Sequence, residues 1–86
     1  DFPVLSADAL ELLISVNLKG VGFDTISPDM GEGSDWPVHN ALLGNDMIII
    51  ENLKITEEVP ATGNFFCFPL PYRNADGSPV RAVLIV

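Results

Sequence analysis

An α/β fold is what this 86-residue sequence predicts, and three features of it lead there. Met47-Ile48-Ile49-Ile50 is a β-branched run without polar alternation, as expected for a strand buried on both faces of a parallel sheet. A helix-forming stretch with Pro37 in its first turn separates it from a second short apolar run, Val21-Gly22-Phe23-Asp24, which suits a crossover between parallel strands. Two more strand-like segments, Phe65 to Leu70 and Val80 to Val86, flank the turn signal Asn74-Ala75-Asp76-Gly77, so a mixed sheet is expected, with α+β as the alternative class.

The chain opens with a helix start. Ser6 is the expected N-cap, Asp8 lies near the positive end of the helix dipole, and Leu5 can staple onto Leu10. The helix should run from about Ala7 to Val16, with Leu10, Leu13 and Ile14 on one face and Ala9, Leu12 and Val16 widening it. Asn17 or Gly20 can take the left-handed closing position. A strand at Val21 to Asp24 then leads into a Gly-, Ser-, Pro- and Asp-rich loop over Thr25 to Asp35, whose acids Asp29, Glu32 and Asp35 lack the alternating spacing of a calcium loop and read as solvated. Ser34 or Asp35 can cap the second helix, which should stop near Gly44. After the isoleucine strand, Thr56-Glu57-Glu58-Val59-Pro60 resembles a single turn closed by proline. No repeat, low-complexity tract or linker divides the sequence, which reads as one domain, 1–86.

So short a chain can build only a thin core, since a domain of this size buries only about 60% of the surface its unfolded chain exposes. Yet 48% of its residues are hydrophobic, more than so small a body hides easily, so some of that surface should meet another segment or subunit. Twelve acidic against four basic residues give a formal charge of -8, which disfavours nucleic acid and anionic lipid as partners. No apolar run approaches the roughly 20 residues that span a bilayer, and no charged apolar leader opens the chain, so a cytoplasmic location is expected. Cys67 is the single cysteine; an intrachain disulfide is excluded, and a reduced, buried thiol is expected.

Chemistry can gather at one place. If Val21 to Asp24 and Met47 to Ile50 are parallel neighbours, Asp24 and Glu51 lie at their C-terminal ends, and His39 in the first turns of the intervening helix returns to the same edge. Open α/β sheets bind their ligands there. A carboxylate directly after three isoleucines needs a partner, and imidazole with carboxylate suits zinc or manganese. Glu51 could equally be solvated by the following loop, His39 a helix-surface residue, and Asp24 a cap or turn acceptor. Trp36 could line a pocket for an aromatic substrate or simply pack beside the helix start.

Four stretches also resemble, in order and spacing, the C-terminal half of the cyclase-family proteins, to which kynurenine formamidase (arylformamidase) and isatin hydrolase belong. They are Leu18-Lys19-Gly20-Val21-Gly22-Phe23-Asp24, Val38-His39-Asn40-Ala41-Leu42-Leu43-Gly44, Ile49-Ile50-Glu51-Asn52-Leu53 and Asp76-Gly77-Ser78-Pro79-Val80-Arg81-Ala82. The separation of His39 and Glu51 (51 minus 39, or 12) is similar to that of the family's late metal-binding histidine and glutamate. The resemblance implies a fragment of a swivelling β/β/α fold from a metal-dependent amide hydrolase, with His39 and Glu51 as metal ligands. Asp24 would stand behind the ligands or position a loop, and Trp36 would lie on the substrate side.

By the same resemblance the ion would be zinc, with manganese possible, and metal-activated water would cleave an N-formyl or cyclic aryl amide, a reaction of tryptophan catabolism. The family's early His-x-Gly-Thr-His-x-Asp ligand run and its catalytic histidine fall upstream of Asp1, so no catalytic residue is assigned in this segment. The partners implied are the small-molecule amide, the missing N-terminal half and further copies of the chain as a homo-oligomer. The contrasting expectation is a non-catalytic binding or assembly module of the same fold.

Overall fold

The computed structural model describes residues 2–30 and 35–86. Among them the elements run α1 (Ala7–Ser15), β1 (Gly20–Gly22), α2 (Pro37–Gly44), β2 (Ile48–Ile50), β3 (Asn64–Pro69) and β4 (Val80–Ile85), in the order the sequence predicts. β1 and β2 pair in parallel, with Gly20, Val21 and Gly22 opposite Ile48, Ile49 and Ile50. β3 and β4 pair antiparallel, from Asn64 opposite Ile85 to Pro69 opposite Val80. Both kinds of pairing therefore occur, in two separate two-stranded sheets, and the α/β class holds. Contacts group the chain into two units, Asp1–Lys54 and Ile55–Val86.

In the first unit α1 begins as expected, with the Ser6 hydroxyl accepting from the Ala9 N–H at 3.2 Å. It closes at Asn17, whose φ of 56° is the left-handed conformation that asparagine tolerates better than most residues. Its inward face is narrower than predicted: Ala9, Leu10, Leu13 and Ile14 are half-buried, whereas Leu12 and Val16 are exposed. The core is Val38, Leu42 and Met47, with Leu5, Leu10, Ile14, Val21, Phe23 and Ile49 packed around it. Val38 and Leu42 are one helical turn apart, so α2 buries a single stripe. Leu42 is fully buried, which stabilises by about 1.5–3 kcal/mol relative to leaving it exposed.

β2 is not buried on both faces as predicted. Ile50 is buried and Ile49 half-buried, but Ile48 is 55% exposed, because β2 has one strand neighbour and one covering helix in this unit. Glycine at position 20 is required by the pairing itself: a Cβ there would lie 2.7 Å from the Ile48 carbonyl oxygen. Beyond the strands the two segments remain tied, Phe23 N–H donating to the Ile50 carbonyl at 2.8 Å, Asn52 N–H to that of Thr25 and Leu53 N–H to that of Phe23, both at 2.9 Å. Glu51 is thus held between two backbone ties.

The second unit is the β3–β4 hairpin and its flanking turns. The Thr56 to Pro60 segment contains the expected turn, closed by Val59 N–H donating to the Thr56 carbonyl at 3.0 Å. Asn74 takes φ 55° in the connection between the strands. Side chains alternate across the ladder, so Phe66 and Phe68 stack on one face with Val83, while Phe65 shares the other with Cys67 and Leu84. Cys67 is half-buried in β3, not enclosed as expected.

Candidate functional site

The acidic loop, expected to be solvated, supplies the most buried polar group among the described residues instead. Asp29 is 4% exposed. The loop bends to place it: Thr25 Oγ1 donates to the Ser27 carbonyl at 2.7 Å, Ser27 Oγ accepts from the Asp29 N–H at 3.1 Å, and Pro28 is fully enclosed. Asp29 Oδ1 then accepts from the Val38 N–H and Oδ2 from the His39 N–H, each at 2.9 Å. These are unpaired donors of the first turn of α2, so its cap is a carboxylate from nine residues upstream of Val38.

The N-cap falls one or two residues beyond the expected Ser34 or Asp35. The N-cap position is Trp36, which makes no side-chain cap bond; Ser34 lies outside the described residues, and Asp35 is exposed with its carbonyl accepting from Asn40 Nδ2. Glu32 also lies outside the described residues. What sequence reasoning missed was a cap delivered by tertiary folding, for which the available signal was Ser27-Pro28-Asp29, a turn-forming triplet ending in an acid.

His39 is where this network reaches the surface. Its Nδ1 lies 2.7 Å from Asp29 Oδ2, and its Nε2 points the other way, 3.4 Å from Glu51 Oε1. Burial is the strongest single influence on the Asp29 carboxyl and raises its pKa. The N–H groups of His39 and Val38, then the His39 ring, together outweigh it and hold the carboxyl below its ordinary value. Trp36 stands edge-on to the imidazole, ring centroids 5.6 Å apart and planes at 85°. Its backbone is left-handed, φ 41° and ψ 56°, an uncommon and strained conformation for a bulky residue.

The topology thus brings His39 and Glu51 together and sets Trp36 beside them, whereas no hydrogen bond or ion pair joins the exposed Asp24 to them. Two ligands about 2.0–2.2 Å from one tetrahedral ion are about 3.4 Å apart, and that is the separation of Nε2 and Oε1. A charge-assisted hydrogen bond between such groups would be nearer 2.7–2.9 Å. The pair fits a shared zinc ion by spacing and donor type. Among the described residues no group of three or more His, Cys, Asp and Glu is placed to hold a metal, and both Asp29 oxygens accept from the N–H groups of α2. No helix among them is long and apolar enough to cross a membrane.

No protein-family model matches the chain. Similar proteins include kynurenine formamidases from Bordetella avium (strain 197N), 33% identical over 84 residues, and Sphingopyxis alaskensis, 32% identical over 84 residues; each alignment covers 98% of this chain and 40% of the relative. A kynurenine formamidase from Salinibacter ruber is 32% identical over 80 residues, which cover 93% of this chain and 38% of that protein. The chain spans about 40% of the length of the curated relatives it matches. Along nearly its whole length the chain is similar to part of the kynurenine formamidases, the group that its motifs resemble.

Proposed function

We propose that this chain is the C-terminal domain of a metal-dependent amide hydrolase, cleaving the C–N bond of an N-formyl or cyclic amide of an aromatic amine. The observation that carries the reading is the placement of His39 Nε2 and Glu51 Oε1 at 3.4 Å on the edge formed by the ends of β1 and β2, supported by the names of the relatives. His39 and Glu51 would hold the ion, zinc first and manganese second. When bound, a divalent ion polarises a carbonyl oxygen and makes water a nucleophile near neutral pH. The chain's own residues do the rest of what this segment contributes. Trp36 offers a half-exposed indole beside the imidazole, a surface suited to a flat aromatic substrate.

Catalytic zinc sites take three protein ligands and keep a position open, so a third ligand comes from the N-terminal half of the protein. The complete enzyme is a cytoplasmic homo-oligomer in this reading. The exposed apolar hairpin favours a second reading, a non-catalytic assembly module of the same fold. The test is hydrolysis of an aryl formamide by the full-length protein, assayed with zinc restored and after chelation. Chelator-sensitive turnover is expected there and none from the 86-residue chain alone. A fully metallated full-length protein without turnover would favour the module.

A further inference from the structure

Resting on the metal reading of His39 and Glu51, we infer that Asp29 is the positioning residue of the site: its carboxylate fixes His39 as the Nδ1–H tautomer and so leaves Nε2 as an electron-pair donor facing Glu51. Asp29 is buried, and its two oxygens already accept two backbone N–H groups, Oδ1 from Val38 and Oδ2 from His39. Two N–H donors converging on a carboxyl favour its ionised form, which accepts and cannot donate. The contact from Nδ1 to Oδ2 at 2.7 Å then requires the proton on Nδ1. In the neutral imidazole the other nitrogen is then left bare.

That arrangement matters because Nε2 faces another acceptor, the Glu51 carboxylate, at 3.4 Å. Two lone pairs opposed at that distance repel unless a cation lies between them. Carboxylate-backed histidines are how proteins orient an imidazole toward a metal, and loss of the backing group typically lowers metal affinity 10- to 100-fold. Here the same carboxylate also caps α2, so it fixes both the backbone at His39 and the rotation of its ring. No other side chain of the described residues hydrogen-bonds the imidazole on its Nδ1 side.

His39 is the single histidine of this 86-residue chain, and in the full-length protein the His39→Gln spectrum identifies its resonances among those of any other histidines. Imidazole ¹⁵N shifts are recorded on the full-length protein, with His39 assigned by comparison with the His39→Gln spectrum, at about pH 8, first without metal and then with added Zn²⁺. In metal-free protein a protonated Nδ1 and a bare Nε2 are expected, and zinc should shift Nε2 alone. An Nε2–H tautomer in the folded metal-free protein overturns the positioning role whether or not zinc binds. A protonated Nδ1 with an Nε2 resonance that zinc leaves unmoved supports the positioning role and overturns the metal reading instead.

Asp29→Asn supplies the second arm. Its amide can satisfy only part of the three-donor set, so a mixed or inverted tautomer and a 10- to 100-fold weaker zinc affinity are expected. A folded Asp29→Asn protein that keeps the Nδ1–H tautomer and its zinc affinity reduces Asp29 to a helix cap and overturns the inference. If that variant does not fold, the wild-type spectrum decides alone.

Discussion

The segments before and after Lys54 differ in what they enclose. The first hides Val38, Leu42, Met47 and Ile50, and it also hides Asp29, whose three hydrogen bonds hold a helix start and a histidine ring in one place. The second hides no large side chain fully: Phe65, Phe66, Phe68, Leu70 and Tyr72 are each more than 40% exposed. A lone two-stranded hairpin is marginal in water. The difference teaches where chemistry can be built, because a side chain is held to a fraction of an ångström only where buried neighbours and satisfied polar groups restrain it. The hairpin has the backbone order for that and lacks the enclosure.

The sharpest way to break this comparison is truncation on both sides of it. Leu42→Ala should cost about 2–5 kcal/mol, read as a lower urea midpoint, since it empties the one fully buried leucine position. Phe68→Ala, at a residue 60% exposed, should change the midpoint by no more than about 0.5 kcal/mol in the isolated chain. A large loss at Phe68 would mean that the hairpin face is covered in solution.

The next test concerns Asp29 and acid. Asp29→Ala leaves the Val38 and His39 N–H groups without their acceptor, and should cost about 1–3 kcal/mol near neutral pH. Because the folded carboxyl lies below its ordinary value, its stabilisation is complete above the unfolded pKa of about 3.9 and is lost as pH falls through the folded pKa. Urea titrations should therefore show the wild type and variant converging once the pH has fallen below the folded pKa. A difference that persisted there would assign the loss to packing.

Legibility divided along the same line. Helix α1, its Ser6 cap and the parallel pairing of β1 with β2 were readable because each rests on local pattern: a capping residue, a 3.6-residue apolar face, a β-branched run. The nearness of His39 to Glu51 was readable because a parallel crossover returns helix and strand ends to one edge, whatever packs around them. Asp29 was not, since an acid in a Gly-, Ser- and Pro-rich loop looks solvated until the fold carries it beneath α2. The exposed Ile48 was misjudged for a related reason: composition reports that a strand can be buried on two faces, and only the neighbouring elements decide whether it is.

A smaller effect sharpens the contrast within the first unit. Gly44 ends α2 with open space around its Cα and without a positive φ, so Gly44→Ala should raise stability by about 0.4–1 kcal/mol. Gly20→Ala should lower it, because the new methyl would meet the Ile48 backbone oxygen. Thermal melts of the two variants should move in opposite directions. Two shifts of the same sign would mean that β1 and β2 can separate to admit a methyl.

The most direct measurement is the metal content of ligand variants in the full-length protein. His39→Ala and Glu51→Gln remove the two facing donors, whereas Lys54→Ala changes an exposed charge just past the same strand and serves as the control. If the pair holds the ion, elemental analysis should find zinc depleted in both ligand variants and retained in the Lys54 control, with greater loss at lower pH as protons compete for imidazole and carboxylate. Full zinc occupancy in both ligand variants would contradict metal binding at His39 and Glu51.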